Sequence, residues 1–129
     1  RQMCIRDSTR GAPLCTTPLV RDDLLFLWSD KGIVSCADST TGKLYWTKRI
    51  GKMFYASPIC VGKRIYNVDV DGTVIVLAAS KQYELLSRND LGEASHSTPA
   101  VAGGVIYFRT LSQVLALGQR PAGSPAGNK

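Results

Sequence analysis

Three side chains have the chemistry to bind or activate a ligand and stand apart from the apolar pattern of the chain. His96 is the only histidine, and histidine can act as acid, base or ligand near neutral pH. Tyr55 lies three residues before a proline, as His96 does. Arg109 occupies a position where two similar stretches carry Trp28 and Val68, and a buried charge needs a partner. Arg109 could therefore hold an anion, or it could mark an edge that is exposed to solvent. For His96 the alternative is a structural role, because a lone histidine in a loop is commonly only hydrogen-bonded or solvated.

The sequence contains no complete catalytic or metal-binding motif. Asp69-Val70-Asp71-Gly72 has the spacing that opens a calcium loop, but the twelfth position is Ser80 instead of glutamate, so a hairpin turn explains it better. A Gly-x-Ser-x-Gly elbow and a phosphate-binding loop are both missing from the sequence. We therefore predict no catalytic residue, no metal site and no cofactor. The four cysteines lack metal-ligand spacing and are predicted to be free thiols, with two of them in buried apolar positions: Cys4, Cys15, Cys36 and Cys60.

The charge distribution does not favour binding to nucleic acid. The chain of 129 residues has a formal net charge of +6, yet residues 16–118 hold eleven basic and nine acidic residues. Most of the positive charge therefore lies near the two ends, whereas a nucleic-acid-binding domain concentrates it on one face. No run approaches the roughly 18 apolar residues that a membrane span requires, and no signal peptide is visible. We expect neither a nucleic-acid partner nor a membrane span.

A repeat of about 40 residues organises the chain. Each unit has a glycine, then a hydroxyl-proline pair seven residues later, then an aliphatic and an aromatic residue seven and eight residues after the proline. Glycine follows fourteen residues after the first two prolines, but Gln113 stands there in the third unit. Apolar residues lie sixteen and eighteen residues after each proline, and we align Leu115 and Leu117 with these columns. The prolines that mark the units are Pro18, Pro58 and Pro99.

The units predict an all-β fold, a partial β-propeller of about two and a half to three four-stranded antiparallel blades. Four short strands separated by turn signals recur in the first two units, and four strands in about 40 residues are typical of a propeller blade. In the second unit we predict strands at 58–61, 64–68, 73–78 and 83–87. The strand at 73–78 is apolar at nearly every position, so both of its faces should be covered. Loops entering the innermost strands line the funnel of a propeller, which makes Tyr55 and His96 candidate funnel-lining residues. Arg109 is the third candidate, because its charge could hold an anion in the funnel.

The blades are predicted at 11–50, 51–91 and 92–118, and the last of them lacks its outer strand. Residues 1–10 show no apolar period and are interpreted as a non-native or disordered leader. Residues 119–129 are rich in proline, glycine and alanine and are predicted to be a disordered tail. We expect the chain to be the C-terminal fragment of a larger propeller. The N-terminal blades of the same protein are then the first partner that this fragment contacts.

The stretch from Ala37 to Trp46 (ADSTTGKLYW) joins two of these strands through a Thr-Gly-Lys turn. Ala37, Asp38, Thr41, Gly42 and Trp46 resemble the tryptophan docking motif of pyrroloquinoline-quinone-like β-propeller repeats. In that family the motif tryptophan docks on the adjacent blade, so the resemblance implies a structural role for Trp46 instead of stacking on a quinone. The second unit lacks the Thr-Gly-Lys and the tryptophan.

The resemblance implies one of two kinds of protein. Non-catalytic members are binding platforms or scaffolds, which include periplasmic lipoproteins that help to assemble outer-membrane proteins. Catalytic members are quinone-dependent alcohol or sugar dehydrogenases, which stack the quinone on adjacent cysteines and bind calcium; this chain has no adjacent cysteines. We expect a non-catalytic module that binds proteins or a small ligand in a periplasmic or extracytoplasmic compartment. The alternative is the C-terminal part of a dehydrogenase that uses pyrroloquinoline quinone and calcium.

Overall fold

The computed structural model describes residues 16–118. These residues form three antiparallel sheets in chain order, two with four strands and one with three. Within each sheet, every strand pairs with the strand that follows it in sequence. The first sheet contains β1 (Leu19–Arg21), β2 (Leu24–Trp28), β3 (Ile33–Asp38) and β4 (Leu44–Arg49). The second contains β5 (Ile59–Val61), β6 (Arg64–Val68), β7 (Thr73–Ala78) and β8 (Leu85–Asp90), and the third β9 (Ala100–Ala102), β10 (Val105–Arg109) and β11 (Val114–Gly118).

The turn between the second and third strands of each sheet is held by a polar side chain at its first position. In the second sheet the Oδ1 atom of Asp69 accepts hydrogen bonds from the N–H groups of Asp71 and Thr73 at 3.0 and 2.9 Å. Ser29 and Thr110 lie at the equivalent positions, and each accepts one backbone N–H of its own turn. Such bonds satisfy turn amides that the strands leave unpaired. Asp69 is therefore a turn-stabilising residue.

The core is divided into two layers, one between each pair of neighbouring sheets. Between the first and second sheets, Phe26, Trp28 and Val34 pack with Ile65 and Ile75, and all are fully buried. Burial of each such side chain contributes about 1.5–3 kcal/mol. The second layer joins the second and third sheets and is formed by Val68, Val74, Val76, Ile106 and Phe108. The second sheet thus presents one face to the first sheet and its other face to the third.

The strand β7 has both faces covered, as the sequence predicted. Four consecutive residues from Val74 to Leu77 are at most 6% exposed. Their side chains alternate between the two core layers, because successive residues of a strand point to opposite faces. Val74 and Val76 pack toward the third sheet, and Ile75 and Leu77 toward the first.

The third sheet corrects the predicted alignment of Leu115 and Leu117. In the first two sheets Trp28 pairs with Val34 and Val68 pairs with Val74, across five intervening residues. In the third sheet Arg109 pairs with Val114, across four residues only. The turn that lacks the glycine is one residue shorter, so every residue after it moves by one place in the repeat. A shift of one place exchanges the faces of a strand, and Leu115 packs toward the second sheet.

The fourth strand of the second sheet is the other place where the prediction was wrong. It spans Leu85–Asp90, whereas the sequence predicted 83–87. The pairing shifts register between Val76–Ser87 and Leu77–Leu85, so Leu86 is the extra residue of a bulge in this fourth strand, and pairing continues to Asp90. Cys36 is fully buried as predicted, but Cys60 is only half-buried. The predicted leader, tail and part of the first blade lie outside the described residues.

Candidate functional site

The loops that connect one sheet to the next are pinned between two turns by backbone hydrogen bonds. We call the surface formed by loops 50–58 and 91–99 together with turns 29–32, 69–72 and 110–113 the loop face. The N–H of Phe54 donates to Asp30 in the first sheet at 2.8 Å, and the carbonyl of Met53 accepts from Val70 in the second at 2.9 Å. The next loop repeats this pattern with Ser95, which donates to Val70 at 3.3 Å. The side chains of these loops are therefore held on a fixed frame.

Two glycines allow the loops to approach the turns this closely. Gly72 has a φ of 91°, in the left-handed region that favours glycine. A Cβ atom there would overlap the carbonyl oxygen of Glu93 and lie 2.9 Å from its carbonyl carbon. Gly32 is in the same situation against the carbonyl oxygen of Gly51. The glycine fourteen residues after Pro18 and after Pro58 is thus required by packing of the interblade loop as well as by the turn itself.

Tyr55 and His96 come together on the loop face, although 41 residues separate them in sequence. Their rings stack edge to face with centroids 5.4 Å apart. Tyr55 is 46% exposed, and His96 is also exposed. The two residues occupy equivalent positions in successive loops, and the approach of these loops brings their rings together. The result is an exposed aromatic pair on a rigid loop frame, suited to contact a partner surface.

Arg109 lies apart from this pair at the end of β10. Its backbone carbonyl accepts a hydrogen bond from the hydroxyl of Ser95 at 2.5 Å, which ties it to the loop that carries His96. Its side chain is exposed on the face of the third sheet that points away from the second sheet. Among residues 16–118 its guanidinium has no acidic partner within ion-pair distance.

In each of the two loops of the loop face, a charged residue contacts the turn of the sheet that follows the loop. The carboxylate of Glu93 accepts hydrogen bonds from the hydroxyl and N–H of Ser112 at 2.6 and 2.9 Å, and from the hydroxyl of Thr110. These hydrogen bonds hold the pKa of Glu93 below its usual value, and the bond from the Ser112 hydroxyl has the largest effect. Lys52 occupies the equivalent position in the previous loop, and its Nζ lies 3.1 Å from Asp71. The two loops therefore make this contact with residues of opposite charge, Lys52 in the first and Glu93 in the second.

The docking motif joins the first sheet to the second. The N–H groups of Thr41 and Thr40 donate to Asp38 Oδ1 at 3.0 and 2.7 Å, and they lower the pKa of that carboxyl. Gly42 adopts a φ of 78° in this turn, and Ala37, which precedes the turn, is buried. Trp46 follows on β4 and crosses to the neighbouring sheet. Its indole N–H donates to the carbonyl of Ser80 at 3.2 Å, and its ring stacks edge to face on Tyr83 with centroids 5.3 Å apart.

A second link between sheets uses the hydroxyl groups that precede the prolines. The N–H of Thr17 donates to the hydroxyl of Ser57 at 2.8 Å, and the N–H of Ser57 donates to the hydroxyl of Thr98 at 2.9 Å. Each hydroxyl thus accepts a hydrogen bond from the backbone N–H of the residue that precedes the proline of the previous unit. Sequence reasoning identified the hydroxyl-proline column but missed this role, and its recurrence at a 40-residue spacing was the available signal. Glu93 was also missed, because its contacts become visible only once the loop is folded onto the turn.

The described residues offer no evident metal site. No group of three or more histidine, cysteine, aspartate or glutamate side chains is arranged to hold a metal ion within 16–118. Both described cysteines, Cys36 and Cys60, are free thiols, and burial raises the pKa of Cys36 to about 11. Across the same residues there is no helix of the length and apolarity needed to cross a membrane.

Comparisons with known proteins agree with this architecture. The structure is similar to the crystal structure of BamB from Moraxella catarrhalis, with a TM-score of 0.66 and 22% sequence identity over 84% of this chain. It is also similar to the computationally designed Ika8 protein, with a TM-score of 0.63 and 13% identity over 79% of this chain. The chain spans about a third of the length of each, 33% and 32% respectively. A search of curated proteins found no match.

The match to a family model covers more of this chain than either match to a solved structure. A family model described as outer membrane protein assembly factor BamB matches residues 6–123, which is most of the chain. Together with the fold, this match confirms the all-β partial propeller and the resemblance to pyrroloquinoline-quinone-like repeats. The chain belongs to the BamB family of β-propeller repeat proteins.

Proposed function

We propose that this chain is a non-catalytic binding and scaffold module whose loop face contacts a protein partner. The family is named for an outer membrane protein assembly factor, and assembly of another protein requires contact with it. On this proposal the partner belongs to the machinery that assembles outer-membrane proteins, the compartment is extracytoplasmic or periplasmic, and no cofactor is needed. The remaining blades of the propeller are the other partner, since the chain spans a third of the related BamB structure.

The observation that carries this proposal is the exposed pair of Tyr55 and His96. Aromatic rings concentrate at the centres of protein interfaces, because they bury a large area at a small cost in side-chain entropy. Here the two rings are held 5.4 Å apart, on loops that backbone hydrogen bonds fix to the turns. Met53 and Leu111 add apolar surface in the same loop-and-turn region, at 42% and 66% exposure.

Site-specific photo-crosslinking tests the proposal. The photoreactive residue p-benzoyl-phenylalanine replaces Tyr55 or His96 in the chain, which is exported to the periplasm of a Gram-negative bacterium and irradiated. We expect both positions to yield an adduct with a component of outer-membrane protein assembly, identified by mass spectrometry. The matched control is Leu44, which is 57% exposed but lies on β4 away from the loop face.

Two results would count against this function. Equal adducts from position 44 would show that the contact is non-specific. Reduction of a redox dye by the purified chain after addition of pyrroloquinoline quinone and calcium would favour the dehydrogenase alternative over a scaffold. Thermal unfolding of each variant shows whether the substitution has left the fold intact.

A further inference from the structure

The fourth strands of the first two sheets carry an excess of positive charge. Segments 43–49 and 79–90, which contain β4 and β8, hold five basic and two acidic residues. The remainder of residues 16–118 holds six basic and seven acidic residues. We call the surface of the two segments the rim surface, because β1 and β5 approach each other at the opposite side of the two sheets. The rim surface is therefore positive, while the rest of the described chain is close to neutral.

The basic side chains of the rim surface have no acidic partner among residues 16–118. The ion pairs found in that part of the chain lie elsewhere and join Arg21 to Asp22 and Lys52 to Asp71. Arg88 donates to the carbonyl of Ile50 at 2.5 Å, and a guanidinium has further N–H groups that one such bond does not use. The charges of the rim surface are therefore available to an anionic partner.

Two lysines of the rim surface are held against aromatic rings where the two sheets meet. The Nζ of Lys48 in the first sheet lies 5.5 Å from the ring centroid of Tyr83 in the second. The Nζ of Lys81 in the second sheet lies 5.5 Å from the ring centroid of Tyr45 in the first. These two rings and that of Trp46 are half-buried. Cation–π contacts of this kind restrain an ammonium group without neutralising its charge.

Exposed leucines accompany the charges of the rim surface. Leu85 and Leu86 are consecutive in β8 and are 37% and 40% exposed, and Leu44 at the start of β4 is 57% exposed. Tryptophan and tyrosine are enriched at the headgroup level of a membrane, where basic side chains meet anionic lipids. Leucine is typical of the side chains that enter the acyl boundary below the headgroups. The rim surface combines these residue types.

We propose that the rim surface binds a membrane surface that contains anionic phospholipids. The phosphate groups of the lipids contact Lys48, Lys81 and Arg88, while Trp46 and the two tyrosines lie at the level of the headgroups. Binding of this kind is reversible and weakens as salt rises, because salt screens exposed charges. The rim surface shares no residue with the loop face, so the chain could hold a membrane and a protein partner at once. This inference goes beyond the function proposed above.

Two other anionic occupants account for less of the rim surface. A nucleic acid or an acidic protein segment would neutralise the basic side chains but would leave the exposed leucines in water. Transfer of apolar surface out of water is favourable, and a lipid surface accepts the charges and the leucines together. The combination of the two features therefore favours a membrane, and the other occupants become outcomes of the test.

Vesicle flotation of the full chain tests the proposal. We expect binding to vesicles of phosphatidylcholine mixed with phosphatidylglycerol, and no binding to phosphatidylcholine alone. The affinity should weaken about fivefold in each of Lys48→Gln and Lys81→Gln, which corresponds to about 1 kcal/mol for each basic residue. Leu86→Ser should also weaken it. The matched control is Lys63→Gln, an exposed lysine in the hairpin between β5 and β6, which should leave the affinity unchanged.

Tryptophan fluorescence gives a second, local readout. The chain has two tryptophans; Trp28 is fully buried and Trp46 is half-buried on the rim surface. Phosphatidylcholine brominated on its acyl chains, mixed into the vesicles with phosphatidylglycerol, should therefore quench the fluorescence of the wild type. The variant Trp46→Phe should lose this quenching.

The controls separate the possible outcomes. Absence of flotation with phosphatidylglycerol, equal flotation with phosphatidylcholine alone, or an equal loss in Lys63→Gln would overturn the proposal. If inorganic phosphate or polyglutamate binds with the same dependence on Lys48 and Lys81, while vesicles do not bind, then the occupant is a soluble anion or an acidic protein and the proposal is wrong. Thermal unfolding shows that each variant keeps its fold. None of these results depends on Tyr55 or His96, so the loop-face function is tested independently.

Discussion

Replacing Gly72 by alanine should destabilise the chain far more than the same replacement at Gly42. Both glycines have positive φ, 91° and 78°, and an L-residue in that region costs roughly 1–2 kcal/mol. No other atom lies within 4 Å of a Cβ built at Gly42, whereas at Gly72 it would overlap the carbonyl oxygen of Glu93. Only the second substitution therefore forces a neighbouring loop to move.

The size of the additional effect follows from the bonds that this movement breaks. The N–H of Leu91 donates to the carbonyl of Gly72 at 2.8 Å, and the carboxylate of Glu93 accepts hydrogen bonds from the third turn. Each such bond contributes about 1 kcal/mol net, so displacement of the loop costs roughly 2–3 kcal/mol more. We expect a loss of about 3–5 kcal/mol for Gly72→Ala and about 1–2 kcal/mol for Gly42→Ala.

Urea unfolding followed by tryptophan fluorescence measures both values, with circular dichroism as the second probe. Asparagine tolerates positive φ better than alanine but still has a Cβ. Gly42→Asn should therefore be almost neutral, while Gly72→Asn should stay strongly destabilised. Equal losses of unfolding free energy at the two positions would refute the reasoning, because they would show that the loop contact contributes nothing beyond the backbone conformation.

Three further predictions concern contacts between and within sheets. Thr98→Val removes the hydroxyl that accepts the N–H of Ser57 and should cost about 1 kcal/mol in urea unfolding, whereas Thr98→Ser should retain the stability. Trp46→Phe loses the indole hydrogen bond to the second sheet, about 1 kcal/mol, and Trp46→Ala should cost at least 2 kcal/mol more because the ring contacts are also lost; equal losses for the two variants would contradict the docking role. The pKa of Glu93 is lowered by the Ser112 hydrogen bonds, so its contribution is complete above the ordinary glutamate pKa of about 4.3 and disappears as the pH falls through the lowered value. Glu93→Gln should accordingly show a smaller loss of unfolding free energy between neutral pH and about pH 2 than the wild type.

The strands could be predicted from the sequence because their signals are local. Strands β6 and β7 have the predicted bounds, and each lies between turns that contain glycine or aspartate. The fourth strand of the second sheet was misplaced because its extent to Asp90 and its bulge at Leu86 depend on pairing with β7. The predicted columns of the third unit failed after Gln113, since only the paired strands show that the turn is one residue shorter.

The candidate residues were predicted one at a time, and their arrangement was not. Tyr55 and His96 were chosen because they hold equivalent places in the repeat, but their ring contact depends on how two loops approach each other. Arg109 was chosen because its charge breaks an apolar column, and the structure places it on the outward face of the third sheet. The contacts of Glu93 with Ser112 join residues from different turns and have no signature in a single sequence.

The amino-acid sequence by itself determined the repeat, the number of strands in each unit and the alternation of apolar residues along them. These properties depend on backbone preferences and side-chain period, which neighbouring residues establish without reference to the rest of the chain. Only the tertiary structure decided which strand faces pack together and which hydroxyl groups link successive sheets. Those outcomes depend on residues about 40 positions apart coming within hydrogen-bond distance, and stacking of whole sheets alone brings them together.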